Sequence, residues 1–196
     1  MTDLDRPTPA SYWVVPGKLL AGEYAGSRDE AQTRQRLAAF LDAGFDTFLD
    51  LTTEGELPSY LPILMKEASH PDRRVHYGSP TGYHYQRFPI QDKGLPSSET
   101  MAAILEAIDT AIAQGRKVYL HCWGGIGRTG TVVGCYLVHQ GLDGKAALQR
   151  LKELYRPSEQ FFFFPYVPET DEQVAFVLHW GTSSPPPLSP GERGEG

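Results

Sequence analysis

The stretch VYLHCWGGIGRTGT, residues 118–131, decides how the rest of the chain is interpreted. It opens with an apolar run that ends at Cys122, passes through three closely spaced glycines and reaches Arg128. The run over 117–122 is typical of a short buried strand. Residues 128–140 are apolar around most of the helical circumference, which is typical of a helix buried on several sides. The stretch therefore predicts a strand, a glycine-rich loop and a helix.

The flanking sequence alternates strands and helices in the same way. Ser27 and Glu30 form a capping-box pattern at the start of one helix, and an apolar stripe follows Pro96 until Gly115 ends it. This alternation predicts a single α/β domain whose mostly parallel sheet is covered by helices on both faces. The remaining predicted strands are 12–15, 19–24, 46–51 and 83–88; the remaining helices are 27–42, 58–68, 143–155 and 170–180.

Length and composition limit the class of protein. The 196 residues suffice for one domain, and a net charge of −6 gives no support to a nucleic-acid or acidic-membrane partner. Two cysteines and no apolar leader favour the cytoplasm. We predict a flexible segment over 1–10, a catalytic domain over 11–180 and a disordered Pro/Gly-rich tail over 181–196.

The glycine-rich loop has the composition of an anion cradle. Backbone N–H groups at a helix N-terminus attract an anion, and glycines let those groups turn inward. Arg128 stands where a nucleotide-binding loop carries lysine, which argues against an NTPase. A cysteine beside a helix N-terminus and a cation is activated as a thiolate nucleophile. The predicted phosphate-binding residues are Trp123, Gly124, Gly125, Ile126, Gly127 and Arg128.

The order His-Cys, five residues, Arg, Thr over 121–129 resembles the signature of the cysteine-dependent protein tyrosine and dual-specificity phosphatases. The similarity extends to residues 12–22, 49–56 (LDLTTEGE), 89–94 (PIQDKG) and 169–173 (ETDEQ). The loop is most similar to those of cyclin-dependent-kinase-associated phosphatase-like members. Residue 169 departs from the family, because Glu169 stands where Gln is usual.

The resemblance implies roles for four further residues. His121 holds the loop and favours the thiolate, although it is also explained as a core histidine. Thr129 stabilises the departing thiolate, although helix capping alone explains it. Asp92 is the general acid, and without the resemblance it is a turn former. Gln173 places the hydrolytic water or, equally well, forms a capping box with Thr170.

Several other residues are left with open interpretations. Asp50, Glu54 and Glu56 lie beyond a strand end and either orient Arg128 or are simply solvated. The large side chain of Trp123 points away from the anion, either into the core or along the pocket wall.

The second cysteine and the histidines add no separate site. Cys135 is expected in the core, with a protective disulfide to Cys122 as a minor alternative. His70, His76 and His84 lack paired ligand spacing, so we infer neither metal nor cofactor.

The sequence predicts a metal-independent phosphomonoester hydrolase that works through a phosphocysteine. Because the loop contains no lysine, a phosphorylated protein or peptide is the expected substrate. An inositol phosphate or other small phosphomonoester is the alternative. A phosphate-binding pseudophosphatase is a rival, as is a sulfur-transfer or arsenate-reducing enzyme, but neither accounts for a complete set of Cys122, Arg128 and Asp92.

Overall fold

The computed structural model describes residues 6–69 and 82–181. In this part of the chain five short strands alternate with six α-helices and one 3₁₀ turn at Glu159–Phe162. The strands are β1 (Ser11–Val15), β2 (Leu19–Gly22), β3 (Thr47–Asp50), β4 (His84–Arg87) and β5 (Val118–His121); the helices are α1 (Glu30–Asp42), α2 (Leu61–Ala68), α3 (Ser98–Ala113), α4 (Gly127–His139), α5 (Gly144–Tyr155) and α6 (Asp171–His179).

The strands form one sheet in the order β1-β2-β5-β3-β4. Only the β1–β2 pair is antiparallel, and the other three pairs are parallel. Gly22, His121, Asp50 and Arg87 stand side by side at the carboxyl ends of the four parallel strands. The loop after β5 therefore leaves from the middle of the sheet, between the ends of β2 and β3.

Apolar layers cover both faces of the sheet. One layer joins α1 and α2 to the sheet through residues such as Phe40, Phe48 and Tyr119. The other joins α3, α4, α5 and α6 to the opposite face through residues such as Ile104 and Val133. The predicted α/β domain with helices on both faces is confirmed.

Two predicted helix starts are wrong in detail. The side chain that caps α1 is Asp29, which accepts hydrogen bonds from the N–H groups of Ala31 and Gln32, so Ser27 and Glu30 form no capping box. Asp29 lies one residue closer to the helix and occupies the cap position. The helix α2 begins at Leu61, three residues after the predicted start at Pro58.

The ends of the chain differ in what the structure describes. Residues 6–10 fall in the segment predicted to be flexible, yet Thr8 and Ala10 are buried and Arg6 donates a 2.9 Å hydrogen bond to the Pro157 carbonyl. The predicted disordered tail lies outside the described residues from 182 onward, as do His70 and His76. Within residues 6–69 and 82–181, no helix is long and apolar enough to cross a membrane.

Candidate active site

The loop between β5 and α4 is held by the end of β2. Cys122 directly follows β5 and is buried. The backbone N–H of Tyr24 donates a 2.8 Å hydrogen bond to the Trp123 carbonyl. Gly125 has a φ of 73°, and a Cβ there would lie 2.3 Å from the carbonyl carbon of Gly22. Only glycine fits at residue 125, because both the backbone conformation and the approach of β2 exclude a side chain.

Arg128 is buried and lies at the centre of an ion-pair network. The side chain is 2% exposed, and its Nη1 and Nη2 donate hydrogen bonds of 2.9 and 2.7 Å to the two carboxylate oxygens of Glu56. It also donates to the Ile90 carbonyl at 3.0 Å and to Asp92 Oδ1 at 3.1 Å. The hydrogen bonds from Arg128 lower the pKa of Glu56 from its ordinary value. Glu56 thus orients the arginine, which settles one interpretation that the sequence leaves open.

The predicted general acid lies on a tight turn after β4. The N–H of Gly94 donates to the Gln91 carbonyl at 2.8 Å, which closes a turn over residues 91–94. Asp92 is half-exposed, and its carboxylate contacts Arg128. Lys93 occupies the left-handed region with a φ of 58°. The turn therefore brings Asp92 to the guanidinium and leaves its side chain accessible from solvent.

His121 is hydrogen-bonded to Tyr60, the residue that precedes α2. Its ring is fully buried, with Nε2 2.7 Å from the Tyr60 hydroxyl and Nδ1 3.3 Å from the Cys122 carbonyl. Burial lowers the pKa of His121, so the ring is neutral at pH 7. Since a carbonyl only accepts, Nδ1–H donates to Cys122 and Nε2 accepts from Tyr60. Asp50 lies 3.9 Å from Nδ1, which is beyond hydrogen-bond distance.

Asp50 forms hydrogen bonds to residues at the strand ends and not to the guanidinium of Arg128. Its buried carboxylate accepts hydrogen bonds from Thr52, from the Tyr85 hydroxyl at 2.8 Å and from Arg87 at 3.3 Å. It therefore joins β3 to β4 at their carboxyl ends. Glu54, the third acidic residue of this segment, is exposed.

The start of α6 borders the loop. Gln173 is buried and forms the predicted capping box with Thr170. A Cβ at Gly127 would lie 3.0 Å from both Gln173 Oε1 and Glu169 Oε2, so the two side chains contact the loop backbone. The role of Gln173 in placing water stays a prediction.

Thr129 does not cap the helix. The first residue of α4 is Gly127 and the cap position is Ile126, so Thr129 lies within the first turn. Its hydroxyl is buried and has no hydrogen-bond partner in the structure, although capping was one interpretation of this residue. Most buried hydroxyls have a hydrogen-bond partner, so Thr129 is an exception.

The other predicted residues have simpler surroundings. Trp123 is 58% exposed, so its side chain points out of the loop towards solvent. Cys135 is buried in the core and burial raises its pKa, which makes it an inert thiol; both cysteines are free. Gly124 has only ordinary contacts, and Ile126 is buried in the apolar layer.

Sequence reasoning missed several residues of the site. Tyr60 bonds to His121 and carries no signal of its own in the sequence, whereas Lys93 and Glu169, which pair with each other, lie in segments that the resemblance covers but receive no role there. Among the described residues, no group of three or more His, Cys, Asp or Glu side chains is placed to hold a metal ion.

A buried cysteine, a glycine-rich loop and an arginine at the carboxyl edge of a parallel sheet define a domain of the cysteine-dependent phosphatase class. The family model "Swiss Army Knife protein, DSP-PTPase phosphatase domain" matches residues 8–164. The chain belongs to this family of dual-specificity phosphatase domains, which confirms the resemblance seen at residues 121–129.

Individual relatives are more distant. Cyclin-dependent kinase inhibitor 3 of Rattus norvegicus is 30% identical over 126 residues, which are 57% of this chain and 55% of that protein. An uncharacterized protein of Methanocaldococcus jannaschii is 33% identical over 92 residues, 47% of this chain and 56% of the relative. The chain therefore spans about half the length of the curated relatives it matches.

Two solved structures share the fold. Tk-PTP in its active form superposes with a TM-score of 0.68 at 24% identity, covering 90% of this chain and 99% of that one. Kinase associated phosphatase superposes with a TM-score of 0.65 at 18% identity, covering 87% and 91%.

Proposed function

We propose that this protein hydrolyses phosphomonoesters through a phosphocysteine intermediate. The observation that carries the proposal is the contact of Arg128 with Asp92 beside the loop that begins at Cys122. A nucleophile, an anion-binding guanidinium and an acid thus meet at one edge of the sheet. Separately, none of these groups defines a reaction; together they supply attack, charge neutralisation and proton transfer.

The first step transfers the phosphoryl group to sulfur. The Cys122 thiolate attacks phosphorus, the phosphorus–oxygen ester bond breaks, and Asp92 gives its proton to the departing oxygen. The loop N–H groups and Arg128 bind the phosphoryl oxygens, where charge is spread in the transition state.

The second step releases inorganic phosphate. Water attacks phosphorus and the phosphorus–sulfur bond breaks. Asp92, now a carboxylate, accepts the proton of the water. The unpartnered hydroxyl of Thr129 supports the departing thiolate of Cys122.

The proposed substrate is a phosphorylated protein or peptide, with phosphotyrosine as the first choice. Residues 123–127 contain no lysine, so the loop lacks the additional cations that suit an inositol polyphosphate. Exposed Trp123 offers an apolar surface beside the loop to the part of a peptide that carries the phosphate. Comparing phosphate release from a phosphotyrosyl peptide and from inositol hexakisphosphate decides between the two classes.

The proposed location is the cytoplasm. Both cysteines are free thiols, and a thiol nucleophile needs a reducing compartment to stay active.

The decisive experiment measures hydrolysis of p-nitrophenyl phosphate in EDTA by the wild type, Cys122→Ser and Cys135→Ala. We expect turnover in the wild type and in Cys135→Ala, and none in Cys122→Ser, which should still bind tungstate. Turnover that persists in Cys122→Ser would refute the phosphocysteine route. A folded wild type that binds tungstate without turnover would instead indicate a binding module.

A further inference from the structure

The turn that carries Asp92 is fastened at both of its ends. At the first end, Arg128 Nη1 donates a 3.0 Å hydrogen bond to the Ile90 carbonyl. At the second end, Gln173 Nε2 donates a 3.2 Å hydrogen bond to the Gly94 carbonyl. The position of the acid therefore depends on two side chains, one from the phosphate-binding loop and one from α6.

Gln173 makes three hydrogen bonds to backbone groups in this arrangement. Its Oε1 accepts hydrogen bonds from the N–H groups of Glu169 at 3.1 Å and Thr170 at 3.3 Å, and its Nε2 is used by Gly94. The residue is 0% exposed, so solvent does not compete for these groups. An amide whose oxygen and nitrogen are both bonded to backbone fixes the start of α6 to the turn that carries Asp92.

An ion pair ties the same two segments together. Lys93 Nζ lies 3.5 Å from Glu169 Oε1. Lys93 adopts its left-handed φ of 58° where glycine or asparagine would be easier. Both partners are exposed, so the pair contributes little energy by itself. It uses other side-chain atoms than the bond from Gln173 to Gly94, and it links the same two segments.

We propose that Gln173 is a positioning residue for the general acid: it holds the turn over residues 91–94 so that Asp92 meets the departing oxygen in the first chemical step. The proposal rests on the proposed function, because it assumes that Asp92 is the acid. It gives Gln173 an effect on phosphorylation of the enzyme, because Asp92 acts there as the acid, whereas a residue that only placed water would act on hydrolysis of the phosphocysteine alone.

The two roles of Gln173 have different kinetic signatures. The value of kcat/KM reports steps up to formation of the phosphocysteine, whereas kcat also includes its hydrolysis. A displaced acid lowers kcat/KM for a poor leaving group such as phenol and spares a good one such as p-nitrophenol. Misplaced water lowers kcat for both substrates, leaves kcat/KM unchanged and produces a burst of the first product.

The experiment compares kcat/KM for phenyl phosphate and p-nitrophenyl phosphate in Gln173→Glu, Gln173→Met and Thr170→Ala. Gln173→Glu keeps the acceptor oxygen of the capping box and loses the donor to Gly94. Gln173→Met loses both. Thr170→Ala weakens the same helix start and keeps the donor. The ratio of the two kcat/KM values cancels differences in folded fraction and in general phosphate affinity.

We expect both Gln173 variants to lower this ratio by about tenfold or more, and Thr170→Ala to change it by less than about threefold. An unchanged ratio in Gln173→Glu and Gln173→Met, with or without a burst, would overturn the proposal. An equal fall in Thr170→Ala would overturn it too, because helix stability would then be the cause. A wild type without Cys122-dependent turnover would refute the proposed function instead.

Discussion

Replacing Glu56 with glutamine tests whether the buried pair with Arg128 organises the site. Glutamine keeps one acceptor oxygen and turns an amide NH₂ towards a guanidinium donor. One of the two hydrogen bonds, at 2.9 and 2.7 Å, is therefore lost, and a guanidinium that is 2% exposed loses its main counterion. Loss of a charge-assisted bond at a buried charge lowers the free energy of unfolding by about 2–4 kcal/mol. The remaining bonds from Arg128 to Ile90 and Asp92 keep the loss from being larger.

The assay is thermal unfolding alongside kcat/KM for p-nitrophenyl phosphate. For a chain of this length the destabilisation corresponds to a fall in Tm of about 4–16 °C. Arg128 keeps its charge but loses one of the two hydrogen bonds that orient its guanidinium, so kcat/KM should fall about 10- to 100-fold. Glu54→Gln is the matched control, since Glu54 is exposed in the same segment. Equal behaviour of the two variants would refute this account of Glu56.

The contribution of this pair also depends on pH in a defined direction. Hydrogen bonds from Arg128 lower the pKa of Glu56 in the folded state, so the pair's contribution is complete above the ordinary glutamate value of about 4.3. It is lost as pH falls through the lower folded value. The difference in unfolding free energy between the wild type and Glu56→Gln should therefore shrink below about pH 4, and a constant difference would contradict the ion-pair explanation.

Three further changes probe the rest of the site. Gly125→Ala places a Cβ 2.3 Å from the β2 backbone at a φ of 73°. It should lower the free energy of unfolding by about 3 kcal/mol or more and abolish tungstate binding. Gly124→Ala, whose Cβ meets only ordinary contacts, should bind tungstate normally in the same titration. Tyr60→Phe leaves His121 Nε2 buried without a donor and should cost about 1–3 kcal/mol in denaturant unfolding. Asp92→Asn should slow phenyl phosphate turnover about 10²- to 10⁴-fold; a much smaller loss would point to another acid.

Local features of the sequence were sufficient for the fold and the loop. The order of strands and helices follows from apolar periodicity, and the loop residues 121–129 lie within nine positions of one another, so their chemistry is visible without a structure. The errors concern helix starts, where two nearby residues are both suited to the cap position. Ser27 and Asp29 both suit a helix cap, and Asp29 wins because it directly precedes the first helical residue. Thr129 suits a cap as well, but the glycine-rich loop starts the helix at Gly127.

Pairings across the chain could not be predicted in this way. Glu56 and Arg128 are 72 residues apart, and Gln173 and Gly94 are 79 apart. Each pairing depends on which strands are neighbours and on how far each loop extends, which no local pattern records. Composition alone makes Glu56 and Glu54 equivalent acidic loop residues, yet one is paired with the arginine and the other is exposed.

The strand order explains why the partners of the loop come from such distant segments. With β5 between β2 and β3, the loop after Cys122 meets the end of β2 on one side and the segment after β3 on the other. The end of β2 excludes a side chain at Gly125, and the segment after β3 supplies Glu56 to Arg128. The turn after β4 lies one strand further out, so it needs ties of its own. Arg128 and Gln173 supply them, and this is why the acid's position should be sensitive to a residue on α6.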